Sequence, residues 1–219
     1  MVYLFQIIPA SAFGLGVWQV QRRSWKIELL KHLEERTSAP PVPLPFDQEE
    51  LLSLEFGRVH VRGKFEHDKV VYIGPRSLLK DGSASGGGSL FGNSDGIGFH
   101  VITPFQLENS DKKILVNRGW VPRNKISVSS RGEVLPVGTM DLIGVVRKTE
   151  KRQNFQPKVT NAEDTNKWST RDVEALANKL ETLPIFIDAD SNSTVPYGPV
   201  GGQTRCTLAN DHMSYLITW

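Results

Sequence analysis

The first 21 residues, Met1 to Gln21, carry no charge, and Arg22 and Arg23 follow at once. A helix rises 1.5 Å per residue, so about 20 apolar residues cross a hydrocarbon core of about 30 Å. Val2 to Val20 is just long enough. Three readings fit the run. A signal peptide needs a basic start and a shorter apolar core, and no basic residue precedes this one. A buried core helix is compatible with the diluting Gln6, Ser11 and Gln19. A membrane anchor fits best, with Trp18 and Trp25 as interfacial aromatics and Arg22, Arg23 and Lys26 at the exit into water.

Helical periodicity continues from Trp25 to Arg36, and Pro40 to Pro45 ends it in a stiff, extended spacer. Asp47-Gln48-Glu49-Glu50 reads as the cap of a short helix through Leu54. Alternation then takes over. Arg58 to Arg62 and Lys69 to Ile73 read as strands, joined as a hairpin across Phe65 to Asp68. Phe99, Val101, Thr103 and Phe105 alternate next. Lys113 to Val121 places Ile114, Val116, Arg118 and Trp120 on one face, and Asp141 to Arg147 is a further strand. The Gly/Ser-rich stretch 81–98 reads as a mobile loop, and 127–138 as a turn-rich one. Ser169 to Asp172 caps a helix with an apolar stripe of Val173, Leu176, Ala177 and Leu180. Ile185-Phe186-Ile187 reads as a buried strand. Short connections favour antiparallel pairing.

The expected fold is α+β: an antiparallel β-sheet or small barrel with one or two packed helices. It lies between an N-terminal transmembrane helix (1–21) and a truncated second one (210–219). A helical extension and Pro-rich linker (22–45) join the first to a β-rich domain (46–209).

Composition narrows the function. Twenty-six basic and 24 acidic residues give a formal net charge of +2, without the clustered basic excess of a nucleic-acid binder. Cys206 is the sole cysteine, so no internal disulfide is possible and a thiolate metal site would need a second chain. One cysteine and three scattered methionines also disfavour a copper handler. No hydrolase, phosphate-loop or dinucleotide motif occurs, so no enzymatic reaction is indicated. His60 and His67 read as ordinary polar residues, His60 facing solvent.

Three positions remain unusual. Arg118 falls on an inward row between Val116 and Trp120, so its guanidinium needs a fixed partner. Arg205 closes Gly201-Gly202-Gln203-Thr204-Arg205. His212 stands at the mouth of the last apolar run, either as a headgroup-facing residue or as a ligand able to hold haem iron. Gly119→Glu is predicted to destabilise the domain by placing an unpaired charge between Arg118 and Trp120.

Five stretches together resemble the Surfeit-locus cytochrome c oxidase assembly factor family, its mitochondrial branch most closely. They are Phe13 to Arg23, Val116-Asn117-Arg118-Gly119-Trp120-Val121-Pro122, Pro184 to Ala189, Gly201 to Arg205, and Asn210 to Trp219. The resemblance implies a multi-pass protein of the mitochondrial inner membrane with its main domain in the intermembrane space. It implies a chaperone without catalysis, assembling respiratory complex IV. Such a factor acts early on the oxidase catalytic subunit, around haem a insertion and haem–copper centre formation. The implied partners are that subunit, its assembly intermediates, haem a synthase and the lipid bilayer. By resemblance His212 matches the proposed haem a ligand, held transiently, with Arg118 and Arg205 as propionate or structural partners. The alternative is a pure protein–protein scaffold that binds no haem.

Overall fold

The computed structural model describes residues 2–80, 83–84, 96–150 and 166–204. The chain divides into two units, and Thr37–Arg205 make up the larger one. The other contains all but the last two residues of helix α1, Val2–Ser38, which runs unbroken through the expected anchor and into its extension. Among the described residues no helix is long and apolar enough to cross a membrane. Gln6, Ser11 and Gln19 are what dilute the first part of α1. The second expected span, 210–219, lies outside the described residues, as does nearly all of the Gly/Ser loop.

Within the larger unit, β1 (Val42–Pro43) pairs in parallel with β2 (Arg58–Phe65). The proline-rich segment therefore adds a strand instead of serving only as a spacer. Between them, Asp47 caps α2 (Gln48–Ser53), its carboxylate accepting from the Glu49 and Glu50 amides as the capping pattern predicts. Next come β3 (Val71–Ser77) and a small two-stranded ribbon of β4 (Leu79–Lys80) with β5 (Ser83–Ala84). The long strands β6 (Ile97–Leu107) and β7 (Lys113–Pro122) follow. Then come α3 (Val128–Arg131), β8 (Met140–Arg147), β9 (Lys167–Trp168), α4 (Val173–Leu180) and β10 (Phe186–Ala189).

The sheet closes. Its order is β1-β2-β8-β10-β7-β6-β3-β9, and a further β2–β6 pairing makes β2, β8, β10, β7 and β6 a five-stranded barrel. β2 pairs with β8 from Arg58 to Gly63 and passes to β6 at Gly63 to Phe65. Gly63 allows the transfer, because a Cβ there would overlap Gln106 O. Closure corrects the expected hairpin. Both edges of β2 are occupied by the barrel, so β3 pairs with β6 and β9 instead. The all-antiparallel expectation is also corrected: β10 lies parallel to β7, β9 to β3, and β1 to β2.

A barrel this narrow is filled by side chains. Val59, Val61, Phe105, Ile114, Val116, Leu142, Val146 and Ile187 alternate into one cluster, closed at its rim by Leu44 and by Leu51 and Leu54 of the α2 segment. The opposite face of β3, β6, β7 and β10 presents Val71, Ile73, Ile102, Leu115 and Phe186. The predicted stripe of α4 packs there. Asp172 is the N-cap of α4, accepting from Ala175 N at 3.2 Å. Each fully buried side chain of this size stabilises the fold by about 1.5–3 kcal/mol relative to exposure.

Candidate functional site

The site begins with one extra residue in β7. Val101 pairs with Gly119 and Ile102 with Asn117, so Arg118 is inserted without a partner in β6. A bulge of this kind reverses the alternation beyond it. That corrects the expected single face: Trp120 leaves the row of Ile114, Val116 and Arg118, and its Nε1 donates to Arg76 O at 2.9 Å. Gly119 takes φ +133°, and a Cβ on it would overlap Val200 O. Only glycine lets the 200 segment dock there, through Trp120 N to Val200 O and Val200 N to Trp120 O, both 2.9 Å.

On the inner row, Arg118 finds the fixed partner that burial demands. Its guanidinium pairs with Glu133, which also accepts from Arg131 Nε at 3.0 Å. Both ends of the Arg118–Glu133 pair are buried, and the Arg118 guanidinium lies 5.3 Å from the Phe65 ring centroid. Burial draws the Arg118 pKa down, opposed by the charge and hydrogen bond of Glu133. Arg131 Nη1 donates to the Lys125 and Ile126 carbonyls at 3.1 and 2.9 Å. The turn-rich segment 127–138 is therefore built around Glu133. The Arg118 guanidinium is thus already paired with Glu133, and a propionate there would compete with that carboxylate.

On the outer row, Asn117 stands opposite Asp188 in the β7–β10 register. Its Oδ1 accepts from Gly119 N at 3.1 Å, which fixes the amide orientation. Its Nδ2 then donates to Asp188 Oδ1 at 2.7 Å and faces His100 Nδ1 at 3.3 Å. Asp188, 2% exposed, also accepts from Arg147 Nη1 and Thr204 Oγ1, each at 3.1 Å. Burial pushes the His100 imidazole down to about 4; Asp188 opposes this, while Arg76 and Arg171 add to it. His100 is thus neutral near pH 7. Because an amide nitrogen can only donate, His100 Nδ1 accepts and the ring proton sits on Nε2.

Further along the same face, Arg76 Nη2 pairs with Glu150 Oε2 at 2.5 Å. Glu150 also accepts from Arg171 N at 3.2 Å, and Arg171 Nε donates to Lys148 O at 2.8 Å. Burial disfavours the Glu150 anion, but Arg76 and the Arg171 amide outweigh it and hold the carboxyl below its usual range. Gln203 anchors the ribbon end: its Oε1 accepts from Leu79 N at 2.9 Å, and its Nε2 donates to Gly201 O and Leu79 O.

Of the positions singled out from sequence, Arg118 is placed as above. Arg205 and His212 lie outside the described residues. His60 is exposed beside Asp141, at 3.0 Å, as anticipated. His67 is part-buried, its Nε2 2.7 Å from Pro136 O. The sequence reasoning missed His100, Arg147, Arg171 and Asp188. Asp188 had left a signal, an acid at the end of the apolar run Ile185-Phe186-Ile187.

The geometry defines a class: a closed five-stranded barrel carrying a buried amide–carboxylate–guanidinium centre on its outer face. Three of the stretches quoted above meet there, through the Asn117–Asp188 and Thr204–Asp188 contacts. Comparison with known proteins gives the family. The profile of the SURF1 family matches residues 7–219. Surfeit locus protein 1 of Mus musculus is 50% identical over 214 residues, covering 97% of this chain and 69% of the mouse protein. The Homo sapiens protein of that name is 48% identical over 217 residues, covering 99% and 72%. The SURF1-like protein of Drosophila melanogaster is 42% identical over 215 residues, covering 97% and 70%. The chain belongs to the SURF1 family.

Proposed function

We propose that this chain is an assembly factor for mitochondrial cytochrome c oxidase. It acts early on the catalytic subunit, around haem a insertion and formation of the haem–copper centre, and performs no reaction of its own. The observation that best supports the reading is the convergence of the family-like stretches on Asp188. Thr204 is tied to that carboxylate at 3.1 Å, and Arg205 follows it directly. The clamp fixes Thr204, the last described residue before Arg205 and His212 in the sequence, on the barrel. His212 is the proposed axial ligand, and Arg205 the propionate partner that remains once Arg118 is committed to Glu133. When bound, haem a supplies an iron able to accept a neutral imidazole.

Membrane attachment through α1, in the mitochondrial inner membrane with the barrel in the intermembrane space, belongs to the same proposal. Phe13, Leu15, Val17, Trp18 and Val20 are exposed along α1, which favours an apolar surrounding. The test is expression of the chain in cells lacking their own family member, reading haem a content of the oxidase. Restored oxidase supports the reading, and no restoration by an inserted, stable chain overturns it. Titration of haem a into the detergent-solubilised chain examines the ligand. Unchanged affinity and spectrum in His212→Ala would remove that residue from the role.

A haem-free scaffold is the second reading. Val134, Val137 and Tyr197 are 77%, 94% and 76% exposed, and their two loops adjoin near Gly198 and Glu133. Apolar side chains so placed suit a protein contact. Full complementation by His212→Ala, with loss in Val137→Asp and Tyr197→Asp, would favour the scaffold.

A further inference from the structure

The outer face of the barrel contains a pocket of about 240 Å³, lined by Arg76, His100, Arg147, Glu150, Arg171 and Gln203 among others. That is far more room than one water requires, which is about 10–15 Å³. Two of its side chains carry buried donors with no hydrogen-bond partner among the described residues, His100 Nε2 and Arg147 Nε. Both are true donors: the Asn117 contact forces the His100 proton onto Nε2, and a guanidinium nitrogen can only donate. A buried donor without an acceptor costs about 1–3 kcal/mol, so two at one pocket need a reason.

Charge points the same way. The guanidiniums of Arg76, Arg147 and Arg171 meet two carboxylates, Glu150 and Asp188, three against two. Among the described residues one positive charge is left over. Glu150 is occupied by Arg76 and the Arg171 amide, and Asp188 by Asn117, Arg147 and Thr204. Neither carboxylate therefore serves the two idle donors. A monoanion with planar oxygens would balance the charge and accept from them. A phosphate dianion would leave a negative charge uncompensated.

The geometry points to this pocket as a binding site for a single carboxylate group, received by His100, Arg147 and Arg171. It stands apart from the proposal for His212 and does not depend on it. The carboxylate can belong to a small free acid or to the propionate edge of a porphyrin, and the test separates them.

Sodium propionate is titrated into the detergent-solubilised full chain, with propionamide and equimolar sodium chloride as controls, and followed by calorimetry and thermal unfolding. Binding and a raised Tm are expected for propionate alone. His100→Phe keeps a ring but loses the Nε2 donor, and Arg171→Gln loses the guanidinium. Each should weaken propionate about tenfold, the scale of one hydrogen bond to a charged group. Circular dichroism identifies any variant that fails to fold, and the other then carries the result. Competition by protohaem but not by its dimethyl ester would assign the carboxylate to a porphyrin. Competition by neither would assign it to a free acid. No propionate-specific effect on the parent chain, or parent-like affinity in every folded variant, overturns the site.

Discussion

Asn117 and Asp188 face each other across the parallel β7–β10 pairing, and the amide of the first donates to the carboxylate of the second at 2.7 Å. That contact links the barrel wall to two further side chains, because Asp188 also receives Arg147 and Thr204. Asp188→Ala would leave the Arg147 guanidinium, 12% exposed, without its counter-charge. Stranding a buried charge costs about 3–5 kcal/mol. Urea unfolding of the variant should show a loss of that order. A loss below about 1 kcal/mol would mean that water, not Asp188, solvates Arg147.

Gly119 offers a second measurement, and the structure changes its reason. Charge is not the main obstacle to a side chain there. Any Cβ meets Val200 O, and φ +133° is itself unfavourable for an L-residue. Gly119→Ala should therefore lose most of the stability that Gly119→Glu loses, with a cost of at least about 2 kcal/mol from strain and the displaced Trp120–Val200 bonds. Thermal unfolding of the two variants side by side decides it. A near-neutral alanine would restore the charge argument.

These two sites show what periodicity could and could not reveal. The α4 stripe, the Asp47 cap and the buried run ending at Ile187 were legible because each is local: spacing and caps are properties of adjacent residues. The β2–β6 closure was not, since Gly63 meets Gln106 across more than forty positions and a period of two is silent about partners. The bulge at Arg118 was hidden for the opposite reason. The row Ile114, Val116, Arg118, Trp120 looks continuous, and only the pairing with Val101 and Ile102 reveals the inserted residue. His100 escaped notice because an alternating strand says which face a residue occupies and nothing about the arginines it will meet there.

Glu133 holds two buried guanidiniums, and that asymmetry predicts an order of effects. Arg118→Ala leaves Glu133 still paired with Arg131 at 2.9 Å. Glu133→Ala leaves both arginines uncompensated, in a place where each is almost fully enclosed. Glu133→Ala should cost about 3–5 kcal/mol, and Arg118→Ala measurably less. Equal losses in chemical denaturation would show that Arg131 does not share the carboxylate.

His100 ties stability to pH, and its sign follows from the depressed imidazole. The pKa is about 4 in the folded chain against 6.5 when unfolded. Between those values the unfolded chain binds the extra proton, so stability is complete above about pH 6.5 and declines as the pH falls toward 4. Glu150 also loses stabilisation in acid, but its loss begins as the pH falls through the ordinary carboxyl value of 4.5 and runs downward from there, since its folded pKa is lowered. The interval from about pH 7 to about pH 5 therefore separates His100 from Glu150. Over it the parent should lose about 2 kcal/mol through His100, at 1.36 kcal/mol per unit of pH. His100→Gln can still accept from Asn117 and donate into the pocket without titrating, so its unfolding free energy should lack that component. Parallel pH profiles for the two chains would place the His100 ring in contact with water, and would also remove one of the two donors on which the carboxylate pocket depends.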